Sequence, residues 1–299
     1  MKKTAPLFIL IAGVLWGCLG IFVRILNSHD LYSMQIVFLR ALVTAVVMAV
    51  FLLFYDRSLL RIRLRDLWCF LGTGICSIVF FNYCYVTSMQ LSSLSVAAVL
   101  LYTAPAMVSL LSLFLFRESL GPVKIISLIV TFLGCLLVTG VLTESANVTG
   151  SGILFGLGSA FGYALYSIFS RFALDRGYHS FTITFYTFAI AAITSAFMVD
   201  TPAILTKACG DPSLLLIIFF MMGLMGTVIP YITYTFGLKH MENGKASILA
   251  SVEPVTASIV SVIVYHETLP VSGWIGVILV IGALIFCNLF DHTSPGETG

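Results

Sequence analysis

The chain has 299 residues, 60% of them hydrophobic and only 9% charged, and its formal net charge at pH 7 is +2. Soluble proteins carry about 25% charged residues, so this composition excludes a protein that exposes its whole surface to water. The net charge is too small to indicate a partner by itself, and we expect no nucleic acid among the partners.

Cysteine and histidine give no sign of a metal or redox centre. The sequence contains seven cysteines and five histidines. No two cysteines form a CxxC pair and no two histidines have the spacing of metal ligands. We therefore expect the cysteines to be packing residues, with no metal and no cofactor.

Ten apolar runs follow one another along the chain, separated by short polar breaks. They cover residues 7–26, 34–54, 67–88, 94–116, 123–142, 152–172, 181–199, 214–237, 246–265 and 272–290. Each is about long enough to cross a ~30 Å hydrocarbon core as a helix. The first run follows two lysines, as a signal peptide would, but it is too long and lacks an A-x-A exit, so we predict that it is retained. The sequence thus predicts an all-α membrane protein with ten transmembrane helices in the lipid bilayer.

The basic residues predict the orientation of these spans. If the N-terminus is cytoplasmic, 12 of the 15 Lys and Arg residues fall in cytoplasmic segments. They are Lys2, Lys3, Arg57, Arg61, Arg63, Arg65, Arg117, Lys124, Arg171, Arg176, Lys239 and Lys245. Only Arg24, Arg40 and Lys207 remain. By the positive-inside rule we predict a multi-pass protein of the plasma or inner membrane with both termini cytoplasmic.

The sequence repeats itself at an offset of 149 residues. The segment SVAAVLLYTAPAMVSLLSLFLFRESL, residues 95–120, aligns with GKASILASVEPVTASIVSVIVYHETL, residues 244–269. Identical pairs are Ala97/Ala246, Leu100/Leu249, Pro105/Pro254, Ser109/Ser258, Ser112/Ser261, Glu118/Glu267 and Leu120/Leu269. We therefore predict two five-helix halves, residues 1–143 and 150–291. Because five is odd, the second half enters the membrane from the opposite side, and such inverted repeats are typical of alternating-access carriers.

Four short motifs carry a resemblance to a known family. They are LWG in the first span, FLRALVTA in the second, and AP…RESL and EP…HETL in the fourth and ninth. In order and spacing they resemble the EamA-type carriers of the drug/metabolite transporter superfamily. The resemblance implies secondary transport of small metabolites across the plasma membrane, often as export and often coupled to protons. Ala104 stands where the second half has Glu253, so recognition by charge is asymmetric.

Glu253 is the only acid deep in a predicted span, and Arg40 is the only base at comparable depth. Charges at such depth are costly and usually face a cavity or a partner. By helix rise the two lie roughly 10 Å apart along the membrane normal, a gap that an Arg side chain or a small zwitterion can bridge. Two alternatives stay open: Arg40 as an anchor to helix-end carbonyls, and Glu253 as a hydrogen-bonding group that positions the Pro254 kink.

Other polar groups in the spans predict a binding cavity. Pro105 and Pro254 each free a backbone carbonyl, which a membrane tolerates only beside protein or a watered cavity. The further candidate lining residues are Trp16, Asn82, Tyr85, Tyr102, Tyr163, Tyr166, Tyr231 and Tyr234. An acid among Tyr and Trp rings suits a cationic or zwitterionic amine through cation–π contact. Ordinary helix packing is the alternative for all of these residues.

Three further pairs of residues have expected structural roles. Gly13/Gly17 and Gly158/Gly162 form small-residue faces suited to close helix contact. Glu118 and Glu267 close the fourth and ninth spans at opposite faces of the membrane, where we expect interfacial pairing.

Taken as a whole, the sequence predicts a secondary active transporter, exporter or exchanger, for a small polar metabolite such as an amino acid or amine. Coupling to protons is expected from Glu253 as the titratable centre. The chain has no GxSxG, HExxH or paired intramembrane Asp, so we expect no enzyme. An uptake carrier for a cationic or zwitterionic nutrient is the first alternative, and a channel or sensor the second. Monomer and homodimer both stay open.

Overall fold

Helices form all the regular structure in the computed structural model, which describes residues 4–141 and 148–291. Ten apolar helices follow in chain order within these ranges. They are α1 (Ala5–Ser28), α2 (Ser33–Tyr55), α3 (Leu64–Leu91), α4 (Leu94–Phe116), α5 (Pro122–Val138), α6 (Gly150–Asp175), α7 (Ser180–Ala196), α8 (Pro212–Leu238), α9 (Asn243–Tyr265) and α10 (Val271–Phe290). Lys2, Lys3 and both chain termini, on which part of the predicted orientation depends, lie outside the described residues.

Helix length and hydropathy support the predicted membrane protein. Within the described residues, eight helices are long and apolar enough to cross a membrane. The exceptions are α5 and α7, which are shorter. Helix α7 is followed by the short helix Thr201–Gly210, bent by 112° from it, and the pair counts as a ninth span if taken together. The predicted ten spans therefore require α5 and α7 to cross as well.

Capping side chains mark the first residues of several of these helices. The Asp211 carboxylate accepts hydrogen bonds from the backbone N–H groups of Ser213 and Leu214 at 2.9 and 3.3 Å, at the start of α8. The Thr149 hydroxyl accepts one from Gly152 at 3.0 Å, at the start of α6. Such caps satisfy N–H groups that have no partner inside the helix.

The first helix of each predicted half packs on the third and fourth helices of the other half. Helix α1 lies against α8 and α9, and α6 lies against α3 and α4. Helix α2 packs on α7, and α5 packs on α10. The two halves are thus interleaved, and any cavity along α1, α4, α6 and α9 lies between them.

Several backbone features recur at the same offset of 149 residues. Helix α4 is broken at Tyr102–Thr103 and α9 at Ser251. Wide π-helical turns occupy Gly72–Val79 in α3 and Ile217–Val228 in α8, and both stretches end at corresponding residues. The corresponding halves therefore share local conformation as well as sequence.

Small residues let α1 approach the break in α9 closely. A Cβ added to Gly17 would lie 2.6 Å from the backbone carbonyl oxygen of Glu253, and one added to Gly13 would lie 2.9 Å from that of Ala250. Helix α6 approaches α3 in the same way, since a Cβ on Gly162 would lie 3.0 Å from the backbone of Phe81.

Gly17→Ala is expected to destabilise the protein by about 1–3 kcal/mol, because the new methyl group must push two helix backbones apart. Thermal unfolding of the purified protein in detergent measures this. The matched control is Gly282→Ala in α10, where an added Cβ meets nothing within 4 Å. Equal unfolding temperatures for the two variants would contradict the close α1–α9 contact.

Candidate functional site

Glu253 lies at the break in α9, in the first turn of the helical segment Val252–Tyr265. The break follows from the sequence, because Pro254 supplies no backbone N–H to continue the preceding turn. Glu253 lines a cavity of about 20 Å³ together with Tyr102, Pro105 and Tyr163. A space of this size holds about one water molecule.

Arg40, in α2, is 7% exposed and close enough to Glu253 for the two charges to interact. Its guanidinium also lies near the Tyr231 hydroxyl. Among the described residues no direct ion pair joins Arg40 to Glu253, and the Arg40 Nε has no hydrogen-bond partner. The buried guanidinium and the half-buried carboxylate thus lie in one site without direct contact.

An aromatic cluster adjoins the Glu253 cavity. The Trp16 ring lies 5.1 Å from that of Tyr231, 5.3 Å from that of Tyr234 and 6.4 Å from that of Tyr163, measured between centroids. Tyr166 joins it at 5.0 Å from Tyr231. Tyr163 lines both this cluster and the Glu253 cavity. The rings come from α1, α6 and α8, so only the tertiary fold assembles them.

Hydrogen bonds satisfy part of this cluster. The Tyr234 hydroxyl is 2.7 Å from the Ser167 hydroxyl, and the Tyr166 hydroxyl is 3.1 Å from that of Thr235. Within the described residues, Trp16 Nε1 and Ser77 Oγ are buried without a partner. Buried polar atoms are nearly always hydrogen-bonded, so these two are candidates for contact with water or a polar ligand.

A larger cavity of about 440 Å³ opens at one end of the bundle. Tyr85, Tyr102 and Pro254 line it, together with Leu94, Ser95, Glu267 and Thr268 from the ends of α4 and α9. Tyr102 and Pro254 also line the Glu253 cavity. We name this end of the bundle, where α9 ends and α4 begins, the Glu267 end.

The candidate residues divide between these spaces. Tyr85 lies in the larger cavity, whereas Tyr163, Tyr231 and Tyr234 lie around Trp16. Asn82 lines none of these spaces: its side-chain amide donates to the Ile78 carbonyl oxygen of its own helix at 2.7 Å. The sequence favours a common cavity for Tyr85, Tyr163, Tyr231 and Tyr234, whereas the structure divides these four tyrosines between two spaces.

The opposite end, where α4 ends and α9 begins, is closed by buried charges; we name it the Glu118 end. Lys124, 1% exposed, forms an ion pair with Glu242. The Glu118 carboxylate accepts hydrogen bonds from the backbone N–H groups of Asn243 and Gly244 at 2.8 and 3.1 Å. Burial raises the pKa of Glu118, and the two N–H groups oppose this effect.

Sequence reasoning missed the Lys124–Glu242 pair, because Lys124 reads as an ordinary basic residue at a helix start. It also missed Arg171 at the same end, where the guanidinium donates to the carbonyl oxygens of Leu238 and Met241 at 2.7 and 3.1 Å. The signal available in advance was the position of Lys124 inside an apolar run.

No group of three His, Cys, Asp or Glu residues within the described ranges is arranged to hold a metal ion. The polar groups of the site are the Glu253 carboxylate, the Arg40 guanidinium, and the phenol and indole groups of the aromatic cluster.

The geometry is that of a multi-pass membrane bundle with a polar site buried between its halves. The sequence model of the EamA-like transporter family matches residues 3–140 and again residues 150–289. The two matches cover nearly the whole chain, so the protein belongs to the EamA-like transporter family, and the resemblance seen in the motifs is confirmed.

Relatives of similar length support the same conclusion. The chain is 28% identical over 289 residues to an uncharacterized transporter of Archaeoglobus fulgidus, covering 93% of both chains. It is 20% identical over 291 residues to the uncharacterized inner membrane transporter YicL of Salmonella typhimurium, covering 96% of both. One solved crystal structure matches with a TM-score of 0.81 at 20% identity, over 97% of this chain and 98% of that one, and so shares the fold. Family membership indicates membrane transport.

Proposed function

We propose that the protein is an alternating-access secondary transporter, an exporter or exchanger, for a small polar metabolite that carries an amino group. The observation that carries this proposal is the position of Glu253. Its carboxylate sits at a helix break, between a cavity open to one end and a cluster of Trp and Tyr rings. A substrate ammonium group would pair with Glu253, and the ring faces would favour its cation–π contact.

The volume of the open cavity and the charged groups beside it suit a small zwitterion or amine as the substrate. The open cavity of about 440 Å³ falls in the range of about 300–1,000 Å³ typical of small-molecule sites. Arg40, whose buried Nε has no hydrogen-bond partner among the described residues, offers a place for a carboxylate. In this proposal Glu253 holds the ammonium group and Arg40 the acid group of the substrate.

An inverted repeat is part of the same proposal. It is supported by the two separate family matches, by the helix breaks at Tyr102 and Ser251, and by the reciprocal packing of α1 and α6 on the opposite halves. Two similar halves in opposite orientation would give states of similar energy that open to opposite sides. With the N-terminus cytoplasmic, the Glu267 end faces outside.

A carrier is favoured over a channel because the Glu118 end is closed by the buried Lys124–Glu242 pair and the Glu118 cap. An uptake carrier for the same class of substrate differs from this proposal only in direction.

Counter-flow in proteoliposomes tests the proposal. Purified protein is reconstituted with unlabelled amino acids or amines inside, and uptake of the labelled compound is followed. We expect the internal compound to accelerate uptake for at least one amine-bearing substrate, since a carrier returns faster when loaded. An uptake rate that does not change when the internal compound is present would indicate a channel.

Cysteine accessibility provides a separate prediction on the cavities. In a variant without native cysteines, Tyr85→Cys should react rapidly with a water-soluble maleimide, because Tyr85 lines the open cavity. Tyr234→Cys is the matched control, since Tyr234 is 1% exposed and should react slowly. Equal rates at the two positions would contradict this division of the site.

A further inference from the structure

Glu118 and Glu267 occupy corresponding places in the two halves. Arg117 and His266, the residues before them, both adopt left-handed backbone conformations with φ of 56° and 55°. The backbone N–H of the following residue then donates to a carbonyl oxygen of the preceding helix in both cases. The N–H of Glu118 donates to Ser112 at 3.2 Å, and that of Glu267 donates to Ser261 at 3.4 Å. The two carboxylates thus leave α4 and α9 by the same turn.

The two carboxylates have different hydrogen-bond partners. Glu118 is 8% exposed and accepts hydrogen bonds from the first N–H groups of α9, at Asn243 and Gly244. The side chain of Glu267 is 49% exposed and is held instead by Arg24 at 2.7 Å and by the Ser261 hydroxyl. These contacts hold the pKa of Glu267 below its ordinary value, with the Arg24 hydrogen bond the largest cause.

The helix start that corresponds to Asn243 and Gly244 is Leu94 and Ser95. Both residues line the larger cavity, which Glu267 also lines. Among the described residues no hydrogen bond is made by their backbone N–H groups, since the nearby Ser93 hydroxyl accepts only from Val96. Two unpaired donors therefore line the same open cavity as Glu267, the carboxylate that corresponds to Glu118.

The packing of α4 against α9 also differs between the two ends of the bundle. At the Glu118 end, the first segment of α9, Asn243–Ala250, packs against the last segment of α4, Ala104–Phe116. At the Glu267 end, the corresponding segments Leu94–Leu101 and Val252–Tyr265 are separated by the cavity and lack such packing. One end is closed with its carboxylate cap formed, and the other is open with its cap unformed.

We propose that Glu267 is the gate of the open end: when this end closes, its carboxylate leaves Arg24 and accepts hydrogen bonds from the backbone N–H groups of Leu94 and Ser95. The inference rests on the proposed alternating access. In the opposite state Glu118 releases α9 while Glu267 caps α4, so each state has one cap formed and one broken. Charge-assisted bonds in a closed interface are strong, whereas the exposed Arg24–Glu267 pair contributes little, so the exchange favours closure.

The two gates are not equally strong. Lys124 and Glu242 correspond to Gly273 and Ser93, which cannot form an ion pair. The Glu118 end therefore has a second contact that the Glu267 end lacks. This asymmetry accounts for a state that is closed at the Glu118 end and open at the Glu267 end.

The test uses the labelling rate of one cysteine in the open cavity. Ala98→Cys, which lines that cavity from α4, is placed in a full-length chain without native cysteines and treated with a water-soluble maleimide. Glu118→Gln weakens the cap at the closed end, so the population moves toward the state closed at the Glu267 end. We expect labelling to slow by at least about threefold. Glu118→Asp, which moves the carboxylate back from Asn243, should act in the same direction if Glu118→Gln folds poorly.

The deciding variant combines Glu118→Gln with Glu267→Gln. If Glu267 is the gate, the double variant loses the closing contact too, and fast labelling returns. If the double variant stays as slow as Glu118→Gln, the gate is wrong but alternating access stands. If neither Glu118 variant slows labelling, alternating access and the gate both fail.

A combination of Glu118→Gln with Arg24→Gln is the matched control. If Glu267 acted only as a partner of Arg24, this combination would restore fast labelling as Glu267→Gln does. The gate predicts that labelling stays slow, because Arg24→Gln frees Glu267 to cap α4.

Discussion

Lys124→Met is expected to lower the free energy of unfolding by about 3–5 kcal/mol, the usual cost of removing one partner from a buried ion pair. The Lys124 side chain is 1% exposed and that of Glu242 is 9% exposed, so water cannot replace the lost partner. Lys124 also donates to the Ser119 carbonyl oxygen at 2.9 Å, and this contact is lost as well. Thermal unfolding in detergent measures the change.

The matched control is the double variant Lys124→Met, Glu242→Gln. Removing both charges leaves no buried ion without a partner, so the double variant should regain most of the lost stability. A double variant as unstable as the sum of the two single variants would contradict a coupled pair.

Glu253→Gln is expected to abolish the pH dependence of transport while the protein still folds and inserts. In the proposed mechanism, protonation of Glu253 would remove the charge that pairs with a substrate ammonium group, so protons and substrate would compete for one carboxylate. Coupling between two ligands is typically about 1–3 kcal/mol, or about 5–150-fold in affinity. Gln keeps the shape and hydrogen bonding of the side chain but cannot exchange a proton. Uptake by proteoliposomes from about pH 5 to 9, near and above the usual carboxyl range, measures the profile.

Pro254→Ala is the control for this prediction. It changes the helix break next to Glu253 but retains the carboxylate, so transport should slow while its pH dependence remains. If Glu253 only supports the kink, Glu253→Gln should transport at nearly the parent rate with the parent profile, and that result would end the proposed coupling.

Much of the fold follows from the sequence alone. Continuous apolar runs of membrane length indicate a helical membrane protein, because a helix satisfies all its backbone hydrogen bonds within one segment and needs about 20 residues to span the bilayer. The motifs around Pro105 and Pro254 identify the family. They also coincide with the breaks in α4 and α9. Glu253 and Arg40 stand out as deep charges in any reading of the chain.

The tertiary structure alone decides which of these residues meet. The Asn82 amide donates to its own helix instead of lining a cavity, and Arg40 forms no direct ion pair with Glu253 among the described residues. Lys124 pairs with Glu242, more than 100 residues away in the chain. The sequence repeat predicts two similar halves, whereas the structure is closed at the Glu118 end and open at the Glu267 end. Hydropathy, proline and helix caps act over a few residues and so are readable in the chain. Contacts between distant helices depend on how the whole chain packs, and no short segment of the sequence shows that.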